Sequence, residues 1–172
     1  PNIIVKLNAK KEETVWVFSH MDTVSEGDIN AWKTNPYEAV VEGDKIYGRG
    51  TEDNGQALVA SLIALKALVE RGVDPKYNYA LGLLADEEIG SVYGLKYVVE
   101  RYPFLPSDLY LVPDAGSPNG LDIEIAEKGV LWLKFTVTGV QSHGSMPSKN
   151  ANRIAMKLLL KVDEVLQEKY RE

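Results

Sequence analysis

Short apolar runs and longer stretches of helical period take turns along much of the chain, the pattern of an α/β architecture. "NIIVKL" and "TVWVFS" read as strands joined by the polar turn "NAKKEE". "YEAVVEGDKIYGRG" reads as a hairpin with Gly43-Asp44 at its turn. In "GQALVASLIALKALVERG" the residues Leu58, Leu62, Leu65 and Val69 recur at helical spacing, and Gly72 is a natural stop. "NYALGLLAD" is apolar enough for a buried strand, and "VYGLKYVVERY" predicts a shorter helix that stops at Pro103. "DLYLVPD" and "LDIEIAEKG" read as two more strands.

The pattern changes near Lys128-Gly129. "VLWLKFTVTG" alternates apolar and polar positions, as a sheet with one solvated face does. The polar turn "VQSHGSMPSKN" then leads into a long helix with Ile154, Leu158, Val162, Val165 and Leu166 in one stripe. One strand and one helix cannot bury a core. The expected layout is therefore a domain over residues 1–128 and the beginning of a second over 129–172.

Composition narrows the chemistry. Apolar residues make up 45% and charged residues 26% of the 172, the balance of a soluble globular protein. A net charge of -6 argues against a nucleic-acid partner, which needs clustered basic residues, and no apolar run suits a membrane. The chain has no cysteine, which excludes disulfides and thiolate metal sites and leaves cytoplasm as the expected compartment. Any metal must then be held by carboxylates and by His20 or His143, the two histidines present.

Acidic or imidazole side chains stand where four strand-like runs give way to loops. They are His20 and Asp22 after "VWVFS", Asp53 in "GRGTEDNGQ", Asp86-Glu87-Glu88 after "ALGLLA", and Asp114 after "LYLV". In an open parallel sheet the carboxyl ends of strands share one edge, so residues remote in sequence would converge there. Gathered carboxylates repel one another unless protons or cations intervene. One imidazole among several carboxylates suits zinc, with cobalt or manganese as alternatives. Each residue also has an ordinary reading: Asp22 could close a turn, Glu87-Glu88 could open a helix, and Asp114 sits in turn-forming company. Singly these readings are the better ones for most of the residues; together the residues favour a metal site.

The motifs "SHMDTV", "WKTNPYEAVVEGDKIYGRGTEDNGQ", "ADEEIGS", "VPDAGS" and "EKGVLWLKFTVTGVQSHGSMP" stand in the order found in the M20 metallopeptidases, and the chain resembles that family from about Val15 to about Asn152. The resemblance implies an incomplete three-layer α/β/α catalytic domain of zinc-peptidase type, followed by the start of an α+β lid and dimerisation domain. It implies that His20 and Asp114 bind one metal, that Asp53 bridges two, and that Glu88 binds the second. Asp22 would orient the His20 imidazole, and a cis peptide would follow Asp53. Glu87 would be the general base toward a water shared by the metals, and His143 would polarise the scissile carbonyl from the lid of a partner subunit.

The implied activity is metal-dependent hydrolysis of an amide bond in a small peptide or N-acyl amino acid, with a homodimer formed through the lid. Asp rather than Glu at 114 leans toward the peptidase members. No histidine follows His143, so one ligand of the second metal is missing, and an N-terminal fragment holding at most one ion is the expectation. The competing reading is an inactive scaffold that only binds metal or dimerises. A calcium module fails, because the aspartates are scattered and no EF-hand spacing occurs.

Overall fold

The computed structural model describes residues 1–117, 119–127, 129–146 and 148–170. The chain divides into two compact units, Pro1–Ile125 and Ala126–Glu172. The boundary expected at Lys128 falls on a residue outside the described ones.

The first unit is built on a sheet of four strands. Strands β1 (Ile3–Leu7), β2 (Thr14–His20), β5 (Asn78–Leu84) and β6 (Leu109–Leu111) lie in the order β1-β5-β2-β6. β5 and β6 both run parallel to β2, while β1 is antiparallel to β5. The hairpin of β3 (Val40–Glu42) and β4 (Lys45–Tyr47) forms separately, pairing Glu42 with Lys45 across Gly43-Asp44.

Alternation along β2 and β5 sends side chains to two faces, and a helix covers each. On one face Trp16, Phe18, Ala80 and Leu84 pack with Val98 and Leu95 of helix α2 (Leu95–Val99). Phe104 joins this cluster, its ring 4.6 Å from that of Trp16. On the other face Leu81, Leu83, Val5 and Val17 pack against Leu58, Leu62 and Leu65 of helix α1 (Ala57–Glu70). The result is the three-layer α/β/α arrangement. Val69 carries the same helical spacing but is exposed, one turn beyond the sheet contact. Gly82 stands opposite Phe18, and a Cβ there would lie 2.5 Å from the Phe18 ring, so the aromatic needs that glycine.

Two polar side chains, buried Asp108 and half-buried Asn78, tie the strand ends together. Asp108 accepts from the Thr14 amide at 2.8 Å, the Trp16 indole at 3.1 Å and the Leu105 amide at 3.1 Å. Asn78 Oδ1 accepts from the Ala9 and Lys11 amides and so closes the turn between β1 and β2.

The second unit holds helix α3 (Ala151–Lys169), whose first turn is capped by Asn150 Oδ1 accepting from the Arg153 amide. Before it, Val140 N donates to Lys149 O at 2.9 Å and closes a loop that carries His143. Two expectations are corrected here. "LDIEIAEKG" and "VLWLKFTVTG" join no ladder among the described residues. A strand exists only when a neighbour takes its N–H and C=O groups, and among the described residues none runs alongside these segments. Ile123, Ile125, Val130, Leu131 and Trp132 are correspondingly exposed.

Candidate metal centre

Because β2, β5 and β6 are parallel, their carboxyl ends share one edge of the sheet. β2 ends at His20, β5 gives way after Leu84 to the loop of Asp86, Glu87 and Glu88, and β6 gives way after Leu111 to Asp114. Asp53 comes from an irregular turn, Thr51–Gln56, that leads into α1. Gly50 enters that turn at φ +78°, and a Cβ there would sit 2.6 Å from Thr23 Cγ2, so both its conformation and its packing call for glycine.

His20 is 4% exposed. Its Nδ1 lies 2.9 Å from the main-chain oxygen of Asp22. A carbonyl only accepts, so Nδ1 carries the hydrogen, and in the neutral ring Nε2 presents a lone pair. That lone pair faces Asp53 Oδ1 at 2.9 Å, Asp114 Oδ1 at 3.5 Å and Glu87 Oε2 at 4.0 Å. An acceptor ringed by acceptors needs something positive among them, either a proton on Nε2 or a cation. Burial opposes a charge on His20, yet the Asp22 carbonyl and the charges of Asp114, Asp53 and Glu87 outweigh it and raise its pKa above the ordinary value. Burial raises the Glu87 pKa; His20 opposes the shift, and Asp114, Glu88 and Asp22 add to it.

The donor set suits a divalent cation. One ligand atom each from His20, Asp53 and Asp114 lie within 4.8 Å of one another, and an imidazole nitrogen with carboxylate oxygens is a common zinc set. Glu88 stands outside this close group, its Oε1 accepting from the Val24 amide at 3.2 Å.

Asp22 does more than sit beside His20. Its carboxylate is 3.6 Å from Nδ1, and it accepts from the Glu87 amide at 3.1 Å and the Glu88 amide at 3.2 Å. One residue thus holds the imidazole through its main chain and the acidic loop through its side chain. The Asp53-Asn54 peptide is cis, as the resemblance implies. His143 belongs to the second unit, where its Nδ1 meets the Ser145 hydroxyl at 2.8 Å and the Ser145 amide at 3.3 Å.

The model of peptidase family M20/M25/M40 matches residues 16–170, a span that takes in every one of these side chains. The chain belongs to the M20 family. An uncharacterized metallohydrolase of Methanocaldococcus jannaschii is 46% identical to this M20 chain, across 100% of the chain and 43% of the relative. A succinyl-diaminopimelate desuccinylase of Blochmanniella floridana is 29% identical across 89% of the chain and 41% of its own length. In structure the M20 chain is similar to an M20 family metallo-carboxypeptidase from Sulfolobus solfataricus, with a TM-score of 0.61 and 33% identity. That likeness covers 70% of this chain and 28% of the carboxypeptidase. The M20 chain thus spans less than half the length of these curated relatives.

Asn54 is a member of the site that patterning does not single out. It is 2% exposed, and its Nδ2 donates to Asp114 Oδ1 and lies 3.4 Å from Pro113 O. The only sequence signal was its place directly after Asp53.

Proposed function

We propose that this M20 protein hydrolyses the amide bond of a small peptide or N-acyl amino acid, using a divalent cation held by His20, Asp53 and Asp114. Zinc suits the donors best, with cobalt or manganese next. The observation that carries the reading is the His20 lone pair, aimed by the Asp22 carbonyl at two carboxylates 2.9 and 3.5 Å away. Support comes from the relatives, since both a desuccinylase and a carboxypeptidase by name cleave an amide bond. When bound, the cation would supply Lewis-acid polarisation of a carbonyl and a lower pKa for water.

Glu87 serves as general base in this reading. Its carboxylate is about half exposed at the rim of the group, within reach of water and substrate. Its raised pKa brings it closer to the neutral range, where a base that takes a proton from water can return it to the departing amine nitrogen. Asp22 holds the Glu87 amide and keeps that carboxylate in place. Glu88 would be a ligand for a second cation in the longer relatives' arrangement, with Asp53 as the residue that would serve both; this chain is expected to hold one. In His143 the Ser145 amide can only donate, so Nδ1 accepts and Nε2 carries the hydrogen. An Nε2–H donor is what polarising a substrate carbonyl requires. The apolar stripe of α3 would join two copies in a homodimer. No helix among the described residues is long and apolar enough to cross a membrane; the cytoplasmic location is part of the proposal.

The test is hydrolysis of a panel of dipeptides and N-acyl amino acids with zinc, cobalt and manganese supplied in turn. Turnover that needs the metal and disappears with a chelator is expected. Metal binding without turnover on any member would favour the alternative, a scaffold that binds metal and no longer catalyses.

A further inference from the structure

We propose that Asn54 is a positioning residue of the metal centre: its buried carboxamide holds the Asp114 carboxylate against the pair formed by His20 and Asp53. The inference rests on the reading of these three residues as metal ligands.

Asp114 needs such a holder. It follows β6, a strand of three half-exposed residues at the edge of the sheet, and it sits on the loop beyond. Among the described residues, the Asn54 side-chain amide is the hydrogen-bond donor found on the Asp114 carboxylate. The orientation of the carboxamide is fixed by its neighbours. Nδ2 faces the Asp114 carboxylate and the Pro113 carbonyl, both of which only accept. A flipped amide would put oxygen against oxygen at both contacts. The cost of the observed orientation is that Asn54 Oδ1 is buried without a partner among the described residues. A buried acceptor left unmatched is uncommon, and here it follows from committing the donor end to Asp114.

The position in the chain gives this contact its purpose. Asn54 is joined by a peptide bond to Asp53, one ligand, and by a hydrogen bond across 60 residues to Asp114, another. A single side chain therefore sets the spacing between ligands delivered by two separate loops. Partners of this kind fix ligand orientation and typically change metal affinity about 10- to 100-fold when removed.

The experiment is a double-substitution cycle in the full chain, with Asn54→Leu, Asp114→Ala and both together. Cobalt(II) affinity is read by calorimetry and the ligand field by visible absorption, and circular dichroism of the metal-free forms reports folding. Asn54→Leu keeps the bulk and removes the donor. It should weaken cobalt binding about 10- to 100-fold and alter the visible band, and it should have less than about a twofold further effect once Asp114 is alanine. Unchanged affinity in Asn54→Leu would overturn the proposal, as would an equal loss in the presence and absence of Asp114. Should Asn54→Leu not fold, Asn54→Ser goes through the same cycle; its shorter hydroxyl no longer reaches Asp114 in the same geometry, and the same coupling is expected. A wild-type chain that takes up no cobalt would instead sink the metal reading itself.

Discussion

The two units use the same kind of sequence signal with opposite results. In the first, the runs "TVWVFS" and "NYALGLLAD" become β2 and β5, paired over seven positions from Thr14↔Asn78 to His20↔Leu84. In the second, "VLWLKFTVTG" alternates just as clearly and joins no ladder among the described residues. Trp16 is 2% exposed and Trp132 is 90% exposed. Alternation tells which face of a strand would be apolar; it does not provide the neighbour that makes the strand. Where the neighbours exist, parallel pairing also brings His20, Glu87 and Asp114 to one edge.

The sharpest break between the units is chemical. If the acidic loop after β5 carries the proton transfers, Glu87→Gln should cut turnover about 10²- to 10⁴-fold and leave zinc affinity within a few-fold, as steady-state assays and calorimetry would show. Normal turnover in that variant would refute the role of Glu87 as base.

Packing separates the units next. Trp16→Ala should cost about 3–5 kcal/mol in urea unfolding, because it empties the cluster with Phe18, Phe104 and Val98. Trp132→Ala should stay within about 0.5 kcal/mol. Equal losses would mean that the segment around Trp132 is paired after all.

Protonation offers a finer probe of the first unit. Folding raises the pKa of both His20 and Glu87, so the native metal-free protein binds protons more tightly than the unfolded chain. That contribution to stability is full below the unfolded pKa values and is lost as pH rises through the raised ones. Metal-free melting temperatures should therefore fall as pH rises past the His20 pKa, and zinc should remove the dependence. The same proton competes with the cation, so zinc affinity should rise with pH through that range. A flat profile in both measurements would contradict the ring of acceptors around Nε2.

The smallest expected effect lies in the second unit. Asn150→Ala removes the cap of α3 and should cost roughly 0.5–2 kcal/mol of helix stability, visible as lost ellipticity at 222 nm on heating.

Much of this was legible beforehand. Strands β1, β2 and β5, the hairpin about Gly43-Asp44, and helices α1 and α3 all follow from period and punctuation. The candidate ligands followed from where acids sit relative to strand ends, because parallel pairing converts sequence position into a shared edge. What was not legible depends on contacts between distant segments. Asp108 joins Thr14, Trp16 and Leu105, and no periodicity marks an aspartate for that task. Asn54 reads as loop until Asp114 is seen beside it. The division of labour in Asp22, main chain to His20 and carboxylate to the Glu87 and Glu88 amides, needs the register of β2 against β5. The segments that join no ladder among the described residues depart from their pattern for the same reason: a partner is a property of the fold and leaves no trace in a single strand's pattern.

Titration of the metal-free protein with zinc, followed by calorimetry for the wild type beside His20→Ala, bears most directly on the centre at the sheet edge. One ion per chain, bound with release of a proton and lost in the variant, is the predicted result. No binding by the wild type, or equal binding by the variant, would contradict it.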